Sequence, residues 1–157
     1  HKSLVNSLAY APAGLFVVSG SVDKSIGIID PIHRKAMRSM EHELGVRCVA
    51  LSPDGGTIAS ASIDETVRLW SVASGEELAR LKGHEGWVNA VAFHPDGKHL
   101  VSAGHDMTIR LWEISSRKEI QVLRGHGRWV LSLSFRGDGR RLASGSLDGS
   151  ARIWTSE

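Results

Sequence analysis

The sequence predicts an all-β protein made of four copies of one structural unit, and two observations lead to this prediction. The first is an internal repeat, because His42, His84 and His126 are 42 residues apart and His1 precedes His42 by 41. The second is that each copy consists of short strand-like runs separated by turn sequences, with no helical periodicity of any length. Four short antiparallel strands in about 40–45 residues are typical of one blade of a β-propeller.

Three other residue types repeat in phase with the histidines. Aspartate, serine and tryptophan recur at steps of 41 or 42 residues. The positions are Asp23, Asp64, Asp106 and Asp148; Ser19, Ser60, Ser102 and Ser144; and Trp70, Trp112 and Trp154, with Ile29 in place of tryptophan in the first copy. Because a catalytic site would occur only once, this repetition indicates a scaffold.

Each copy contains candidates for four strands in a fixed order. The first strands are short apolar runs at Val46–Leu51, Val88–Phe93 and Val130–Phe135, as expected of strands buried on both faces. Glycine-rich turns then lead to second strands at residues 57–60, 100–102 and 142–144. Third strands rich in β-branched and aromatic residues are predicted at 66–70, 108–112 and 150–154, and more polar fourth strands at 36–40, 77–81 and 119–123.

Composition and charge limit the class of protein. Of the 157 residues, 41% are hydrophobic and 23% charged, which is typical of a soluble globular protein. The net charge of +2 is too small to favour nucleic acid or a membrane surface, and no apolar run reaches the roughly 20 residues of a membrane helix. Cys48 is the only cysteine, so no intrachain disulfide can form. We therefore expect an intracellular protein, in the cytoplasm or the nucleus.

The chain resembles the WD40-repeat family over essentially its whole length. The resemblance is carried by the pairs Gly83-His84 and Gly125-His126, by the Ser-x-x-x-Asp spacing and by the tryptophan that ends each third strand. Two departures are that the residue after each tryptophan is never the family's aspartate, and that Glu41 replaces a glycine. The resemblance implies four WD40 repeats, at residues 1–40, 41–82, 83–124 and 125–157, each a blade of four antiparallel strands.

The resemblance also implies a role for the repeated polar residues. In the family, histidine, serine, aspartate and tryptophan form a buried hydrogen-bonded tetrad that connects the strands of a blade. The expected tetrads are His42, Ser60, Asp64 and Trp70; His84, Ser102, Asp106 and Trp112; and His126, Ser144, Asp148 and Trp154. The chemistry agrees, because a buried indole N–H needs an acceptor and a carboxylate can accept a hydrogen bond from histidine. A Ser-His-Asp catalytic triad is the competing interpretation, and the repetition disfavours it.

Eight histidines raise the question of a metal site. Their dominant spacing is 42 residues, whereas metal ligands usually come in short pairs such as His-x-x-x-His. His94, His99 and His105 fall around successive turns, without an evident framework of carboxylates or cysteines. We therefore predict surface or turn histidines, and no metal, cofactor or catalytic residue.

Two tryptophans outside the expected tetrads are the strongest candidates for binding. Trp87 and Trp129 each stand immediately before a first strand, an entry that in the family lies on the rim of the central channel, where partners most often bind. The same surface is expected to carry Leu4, Asn6, Arg47, Asn89, His105 and Leu131. Exposed aromatic residues and arginine are the usual residues of interface hot spots. The alternative is that both tryptophans merely pack against the adjacent blade.

Closed propellers have about 4–8 blades, so four would form a small ring at best. The sequence stops at Glu157, just after the third strand of the last copy, so we expect the last blade to lack its outer strand. We expect either the rest of a larger propeller or a homodimer of two half-propellers to close the ring.

The expected function is a non-catalytic scaffold that presents one end of its blades to protein or peptide partners within a multi-component complex. This expectation depends on the family resemblance and on the lack of a catalytic constellation. Two alternatives remain open: a sensor or regulatory region of a larger multidomain signalling protein or enzyme, and recognition of a modified peptide or nucleic acid at the channel mouth. No small-molecule substrate is expected.

Overall fold

The computed structural model describes residues 1–155, and every regular secondary-structure element in these residues is a β-strand. Fifteen strands form four antiparallel sheets in residues 1–155, and each sheet is made of strands that are consecutive in the chain. In chain order the strands are β1 (Val5–Tyr10), β2 (Val17–Ser21), β3 (Ser25–Asp30), β4 (Lys35–Glu41), β5 (Val46–Leu51), β6 (Thr57–Ser62), β7 (Thr66–Ser71), β8 (Glu77–Lys82), β9 (Val88–Phe93), β10 (His99–Gly104), β11 (Ile109–Glu113), β12 (Lys118–Leu123), β13 (Val130–Phe135), β14 (Arg141–Ser146) and β15 (Ala151–Thr155). No helix in this part of the chain is long and apolar enough to cross a membrane.

The sheets have the predicted all-β architecture. The first three contain four strands each, and the fourth consists of β13, β14 and β15 within the described residues. The predicted first strands coincide with β5, β9 and β13, whereas the second strands are longer than predicted. In β10, for example, the pairing with β9 continues to Gly104, because small residues such as Ala103 are accepted where a strand is buried on both faces.

The turn between the second and third strands of each sheet depends on its aspartate. Asp106 Oδ1 accepts hydrogen bonds from the backbone N and the Oγ1 of Thr108, at 3.2 and 2.9 Å. Met107, which lies between them, has a φ of 64°, a left-handed conformation that residues other than glycine rarely adopt. The carboxylate therefore stabilises a tight turn whose sequence contains no glycine at the strained position.

The hydrophobic core lies between neighbouring sheets. One cluster packs Ile28 of the first sheet against Trp70 of the second. The next packs Leu69 against Trp112 of the third sheet, and another joins residues of the third and fourth sheets. Because the first strands β1, β5, β9 and β13 contact one another in succession, the sheets are arranged around a common axis as propeller blades.

The outward faces of the first and last sheets are exposed at positions whose counterparts in the other sheets are buried between neighbouring sheets. Leu8 of β1 is 65% exposed, whereas its counterpart one sheet later, Val49, is 4% exposed and packs on the preceding sheet. At the other end Ile153 is 63% exposed, whereas its counterpart Leu69 is 2% exposed and packs on the following sheet. Each end of the array therefore presents apolar side chains that no other sheet covers within residues 1–155.

Candidate functional site

The repeated polar residues form chains of hydrogen bonds that connect two strands of a sheet with the loop before its first strand and with the turn between its second and third strands. In the third sheet, Trp112 Nε1 donates to Ser102 Oγ at 2.8 Å, Ser102 Oγ lies 2.7 Å from His84 Nε2, and His84 Nδ1 lies 2.8 Å from Asp106 Oδ2. Because the indole N–H can only donate and the carboxylate can only accept, the protons are ordered from tryptophan through serine and histidine to aspartate. The four expected partners therefore form one directional relay.

The same relay forms in the second and fourth sheets. His42 connects Ser60 and Asp64 at 2.6 and 2.9 Å, and Trp70 donates to Ser60 at 2.8 Å. The corresponding contacts of His126 with Ser144 and Asp148, and of Trp154 with Ser144, measure 2.8, 2.9 and 2.8 Å. Three sheets thus carry all four members.

The first sheet contains a partial relay that the sequence analysis did not assign. His1 Nε2 lies 2.6 Å from Ser19 Oγ, and His1 Nδ1 lies 3.3 Å from Asp23 Oδ1. The position of the tryptophan is occupied by Ile29, so Ser19 Oγ accepts no indole N–H, although it keeps the contact with the third-strand carbonyl of Gly27 at 3.5 Å. The 41-residue step between His1 and His42 was the signal that could have revealed this partial tetrad.

The serines of the tetrads are not accessible to a substrate. Ser60, Ser102 and Ser144 are all buried, and each hydroxyl oxygen already accepts the indole N–H of its own sheet. A nucleophilic serine must reach a substrate carbonyl beside an oxyanion-stabilising group. These Ser-His-Asp groups therefore have the chemistry of a structural network.

Two arginines that the sequence analysis left unassigned extend the tetrads. Arg68 Nη2 lies 2.8 Å from Asp64 Oδ2, and Arg110 Nη2 lies 3.3 Å from Asp106 Oδ2. Both are buried, and Arg110 also pairs with Glu119 at 2.6 Å. Each arginine stands two residues before its tryptophan, which is the sequence signal for this role.

Electrostatics keep the aspartates of the tetrads ionised. Burial acts to raise the pKa of Asp106, but hydrogen bonds from His84 and Thr108 outweigh it and hold the pKa well below its ordinary value. The balance is the same for Asp64, with His42 and Thr66 as donors. Because these hydrogen bonds favour the ionised carboxylate, part of the stability of the fold depends on the ionisation of Asp64 and Asp106.

Trp87, His105 and Trp129 form a three-ring stack, here named the aromatic stack. The rings of His105 and Trp129 are nearly parallel, with centroids 3.8 Å apart and planes 6° apart. On the other side, the centroids of Trp87 and His105 are 4.6 Å apart with planes at 30°. Trp87 and Trp129 are 42% and 43% exposed. The stack thus joins the third and fourth sheets and leaves two indoles open to solvent.

Two glycines lie beside Trp87, Gly86 before it in the chain and Gly104 opposite it at the end of β10. Gly86 has a φ of 125°, a region that favours glycine. A Cβ on Gly104 would lie 2.2 Å from the Trp87 carbonyl oxygen, which is closer than any real Cβ contact. The corresponding residue of the second sheet is Ser62, whose hydroxyl donates to the Gly45 carbonyl at 3.0 Å. Gly104 therefore permits a closer approach of the two loops in the third sheet.

Arg47 gives the surface beside the stack a positive charge. Burial and the charge of Arg47 lower the pKa of His105 below its ordinary value, against an opposing effect of Asp106. His105 is therefore neutral near pH 7. Within residues 1–155, the buried Nε of Arg47 has no hydrogen-bond partner.

The structure separates the other residues expected on this surface. Leu4 and Leu131 are exposed, and Asn6 is exposed although its Nδ2 donates to the Val46 carbonyl at 2.8 Å. Asn89 was expected on the exposed surface, but it is buried, because its Nδ2 donates to the Val130 carbonyl of the next sheet at 3.0 Å. The two asparagines thus connect neighbouring first strands, a role that the sequence did not predict.

Comparison with known proteins places the repeats in a family. A family model described as "WD domain, G-beta repeat" matches residues 1–30, 34–71, 75–113 and 117–155. Together the four matched segments cover most of the chain. Each segment ends at or next to the end of the third strand of a sheet.

Curated relatives and a solved structure show how far the likeness extends. "WD repeat-containing protein 90" of Mus musculus is 30% identical over 79 residues, which are 50% of this chain and 4% of that protein. "Small ribosomal subunit protein RACK1y" of Oryza sativa subsp. japonica is 33% identical over 84 residues, which are 52% of this chain and 25% of that protein. The chain therefore spans only a small part of the length of these relatives. The solved structure described as "Structure of U3-55K" superposes with a TM-score of 0.93 at 23% identity, over 99% of this chain and 50% of that one, and shows the fold alone.

Removal of one relay hydroxyl should destabilise the fold. Ser102→Ala leaves the buried Trp112 N–H and His84 Nε2 without a partner, so the free energy of unfolding should fall by about 1–3 kcal/mol. Urea denaturation at pH 7 measures the change. The control is Ser116→Ala, at an exposed serine, where a change within about 0.5 kcal/mol is expected. Equal stability of the two variants would contradict the importance of the relay.

Acid should weaken the tetrads. Because the pKa values of Asp64 and Asp106 lie below their ordinary values in the folded chain, their contribution is fully present above the unfolded value of about 3.9 and is lost as the pH falls towards the folded values. Urea denaturation between pH 7 and pH 3 should show stability falling below about pH 4. Asp106→Asn should be less stable at pH 7 and should lose less on acidification. Identical pH dependence in both proteins would show that Asp106 is not part of this linkage.

Proposed function

Because the chain belongs to the WD40-repeat family, we propose that it is a non-catalytic platform that binds protein or peptide partners at the end of its blades where the aromatic stack lies. The observation that carries the proposal is the pair of half-exposed indoles fixed on both sides of His105. Large aromatic side chains held rigidly at a surface provide contact area at little cost in conformational entropy. Burial of the tetrad serines supports the non-catalytic part of the proposal.

The charge beside the stack specifies the partner further. The charge of Arg47 acts on His105 and lowers its pKa, and the buried Nε of Arg47 has no hydrogen-bond partner within residues 1–155. A half-buried guanidinium is best satisfied by a planar, bidentate carboxylate. The preferred partner is therefore a protein segment that places an apolar or aromatic side chain on the stack and an Asp or Glu near Arg47. The net charge of +2 argues against nucleic acid as the partner.

The outer faces of the array support a second part of the proposal, namely that further blades cover them. Leu8 and Ile153 are exposed at positions whose counterparts Val49 and Leu69 are packed between sheets. An exposed apolar face of this kind is normally an interface. The covering sheets come either from the same polypeptide, as the small share of its relatives that the chain spans supports, or from a second copy of the chain.

The proposed setting is a multi-component assembly inside the cell. A relative whose name identifies it as a small ribosomal subunit protein is an intracellular protein. The presence of a single cysteine, Cys48, agrees with a reducing compartment. A regulatory region of a larger protein is compatible with the same platform chemistry, because the partner would then be another segment of that protein.

Loss of both indoles should abolish partner binding. Trp87→Ala combined with Trp129→Ala removes two hot-spot side chains, each expected to cost at least about 2 kcal/mol, which is roughly 30-fold in affinity. Proteins captured from a nuclease-treated lysate by the wild-type chain are identified by mass spectrometry, and the affinity of each purified partner is then measured for both chains. The control is Ile120→Ala, at an exposed residue of the outer strand β12. Lower stability with intact affinity would contradict the proposed interface.

An arginine at one outer face should prevent assembly. Leu8→Arg places a charge where an adjoining sheet would bury it, which is strongly unfavourable. Light scattering is measured on the chain alone, where the larger species is a dimer, and on the chain mixed with further segments of the same polypeptide. The wild-type chain should form a larger species in one of these samples, and the Leu8→Arg variant should not. Leu15→Arg is the matched control, because Leu15 is equally exposed but its counterpart in the fourth sheet is Arg140. A wild-type chain that remains a stable monomer, unchanged by either variant, would argue against covered faces.

A further inference from the structure

The turn between β9 and β10 brings together three side chains with metal-binding atoms. His94, Asp96 and His99, here named the His94 cluster, each offer one such atom, and the three atoms lie within 4.8 Å of one another. His94 Nδ1 is 3.0 Å from Asp96 Oδ1, and His99 Nδ1 is 2.7 Å from Asp96 Oδ2. The sequence did not predict this cluster, because His94 and His99 are five residues apart and so lack the His-x-x-x-His spacing of common metal-binding pairs.

The hydrogen bonds of His94 show that its Nδ1 carries a lone pair. His94 Nε2 lies 3.1 Å from the Gly139 carbonyl oxygen, which can only accept, so the proton is on Nε2. On the other side, the Asp96 backbone N–H donates to His94 Nδ1 at 3.1 Å. In neutral His94 the Nδ1 lone pair therefore accepts the Asp96 N–H and also lies 3.0 Å from Asp96 Oδ1, so a cation bound by both atoms would take the place of that backbone hydrogen bond.

This arrangement has the outer contacts that metal-binding histidines usually have. A ligating histidine commonly donates its second ring N–H to a carboxylate or a backbone carbonyl, which fixes the ring and directs the lone pair. The Gly139 carbonyl of the fourth sheet provides that contact for His94. Phe135 packs edge-on against the same ring, with centroids 4.9 Å apart and planes at 82°. The His94 ring is thus held in place from the neighbouring sheet.

The turn itself does not require the two histidines. In the second sheet, Ser52 and Thr57 stand at the positions of His94 and His99, and Asp54 still accepts the Gly56 backbone N–H at 3.0 Å. The corresponding aspartate of the fourth sheet, Asp138, forms the same contact with the Arg140 N–H. The histidine pair is therefore specific to the third sheet and is additional to what the fold needs.

The His94 cluster is accessible and carries the right charge. It lines the wall of a cavity of about 350 Å³ between the third and fourth sheets, together with apolar residues such as Phe135 and Trp154. Burial acts to raise the pKa of Asp96, but hydrogen bonds from His99 and the Lys98 backbone outweigh it and hold the pKa well below its ordinary value. The carboxylate is therefore ionised at neutral pH, although Arg140 on the same wall opposes a bound cation.

We propose that the His94 cluster binds a divalent transition-metal ion of the zinc class through His94 Nδ1, a carboxylate oxygen of Asp96 and His99 Nδ1, with the ring proton of His99 carried on Nε2 instead of Nδ1 in the bound state. Two imidazoles and one carboxylate are a common ligand set for zinc, and water completes the tetrahedral coordination. Ligand atoms around tetrahedral zinc are about 3.3 Å apart, given metal–ligand distances of about 2.0–2.1 Å. The separations of 2.7 and 3.0 Å to the carboxylate therefore require only small outward rotations of the side chains.

Calorimetric titration of the untagged full chain with ZnCl₂ tests the proposal. One ion per chain is expected. The double variant His94→Ser with His99→Thr, which copies the second-sheet turn, should bind zinc at least about tenfold more weakly. His99→Thr alone should lose a similar factor without a change in metal-free melting temperature, because the Gly139 contact of His94 is kept. Titration with Co²⁺ should give d–d absorption bands of tetrahedral coordination in the wild type and not in the double variant.

His33→Gln is the matched control for weak zinc binding by a single surface histidine. His33 pairs with Asp30 at 2.7 Å with the same three-residue spacing as Asp96 and His99, but it has no second histidine beside it. This variant should keep the wild-type affinity and one ion per chain. Zinc binding by the double variant with wild-type affinity, or no binding by the wild-type chain at about 100 μM zinc (a free energy of roughly −5.5 kcal/mol), would overturn the proposal. Circular dichroism of the metal-free variants checks that each is folded.

Discussion

A sheet that is apolar on both faces cannot be stable in water alone, so every sheet of this protein depends on the sheets beside it. Each hydrophobic cluster combines residues of two adjacent sheets, such as Leu69 of one and Trp112 of the next. Burial of this apolar surface is the main favourable contribution to folding. Stability is therefore a sum over neighbouring pairs, as in other repeat proteins. The exposure of Leu8 and Ile153 is the direct consequence at the two ends of the array.

The buried tetrads follow from the same packing. A tryptophan large enough to fill the space between two sheets brings its N–H into the core, where an unpaired donor would be costly. Ser102 accepts this N–H from Trp112, and His84 carries the hydrogen-bond chain to Asp106 in the turn. One relay thus satisfies the polar group in the core and also fixes the turn. In the first sheet, which has Ile29 in place of the tryptophan, the relay stops at Ser19.

Periodicity in the sequence predicted the fold well and the site only in part. Residues that recur with the repeat must take equivalent positions in every sheet, so the repeated strands could be predicted, and the family resemblance implied the partners of His84. The burial of Asn89 could not be predicted, because it depends on a hydrogen bond to the Val130 carbonyl of the next sheet, which is a contact between copies. The aromatic stack was predicted as separate exposed residues, since nothing in the sequence places His105 between Trp87 and Trp129. The pairing of His94 with Gly139 is hidden for the same reason.

In a repeat protein, residues that depart from the repeat are the ones that the scaffold does not explain. Two such departures lie in the third sheet: Gly104 replaces a serine beside Trp87, and His94 and His99 replace the Ser52 and Thr57 of the second sheet. Strand β9 connects the two places, with Trp87 before its first residue and His94 after its last. Six residues of strand separate them by roughly 20 Å, a distance at which substitutions normally act independently. The third sheet therefore carries two separate candidate sites at opposite ends of one strand, and loss of one should leave the other intact.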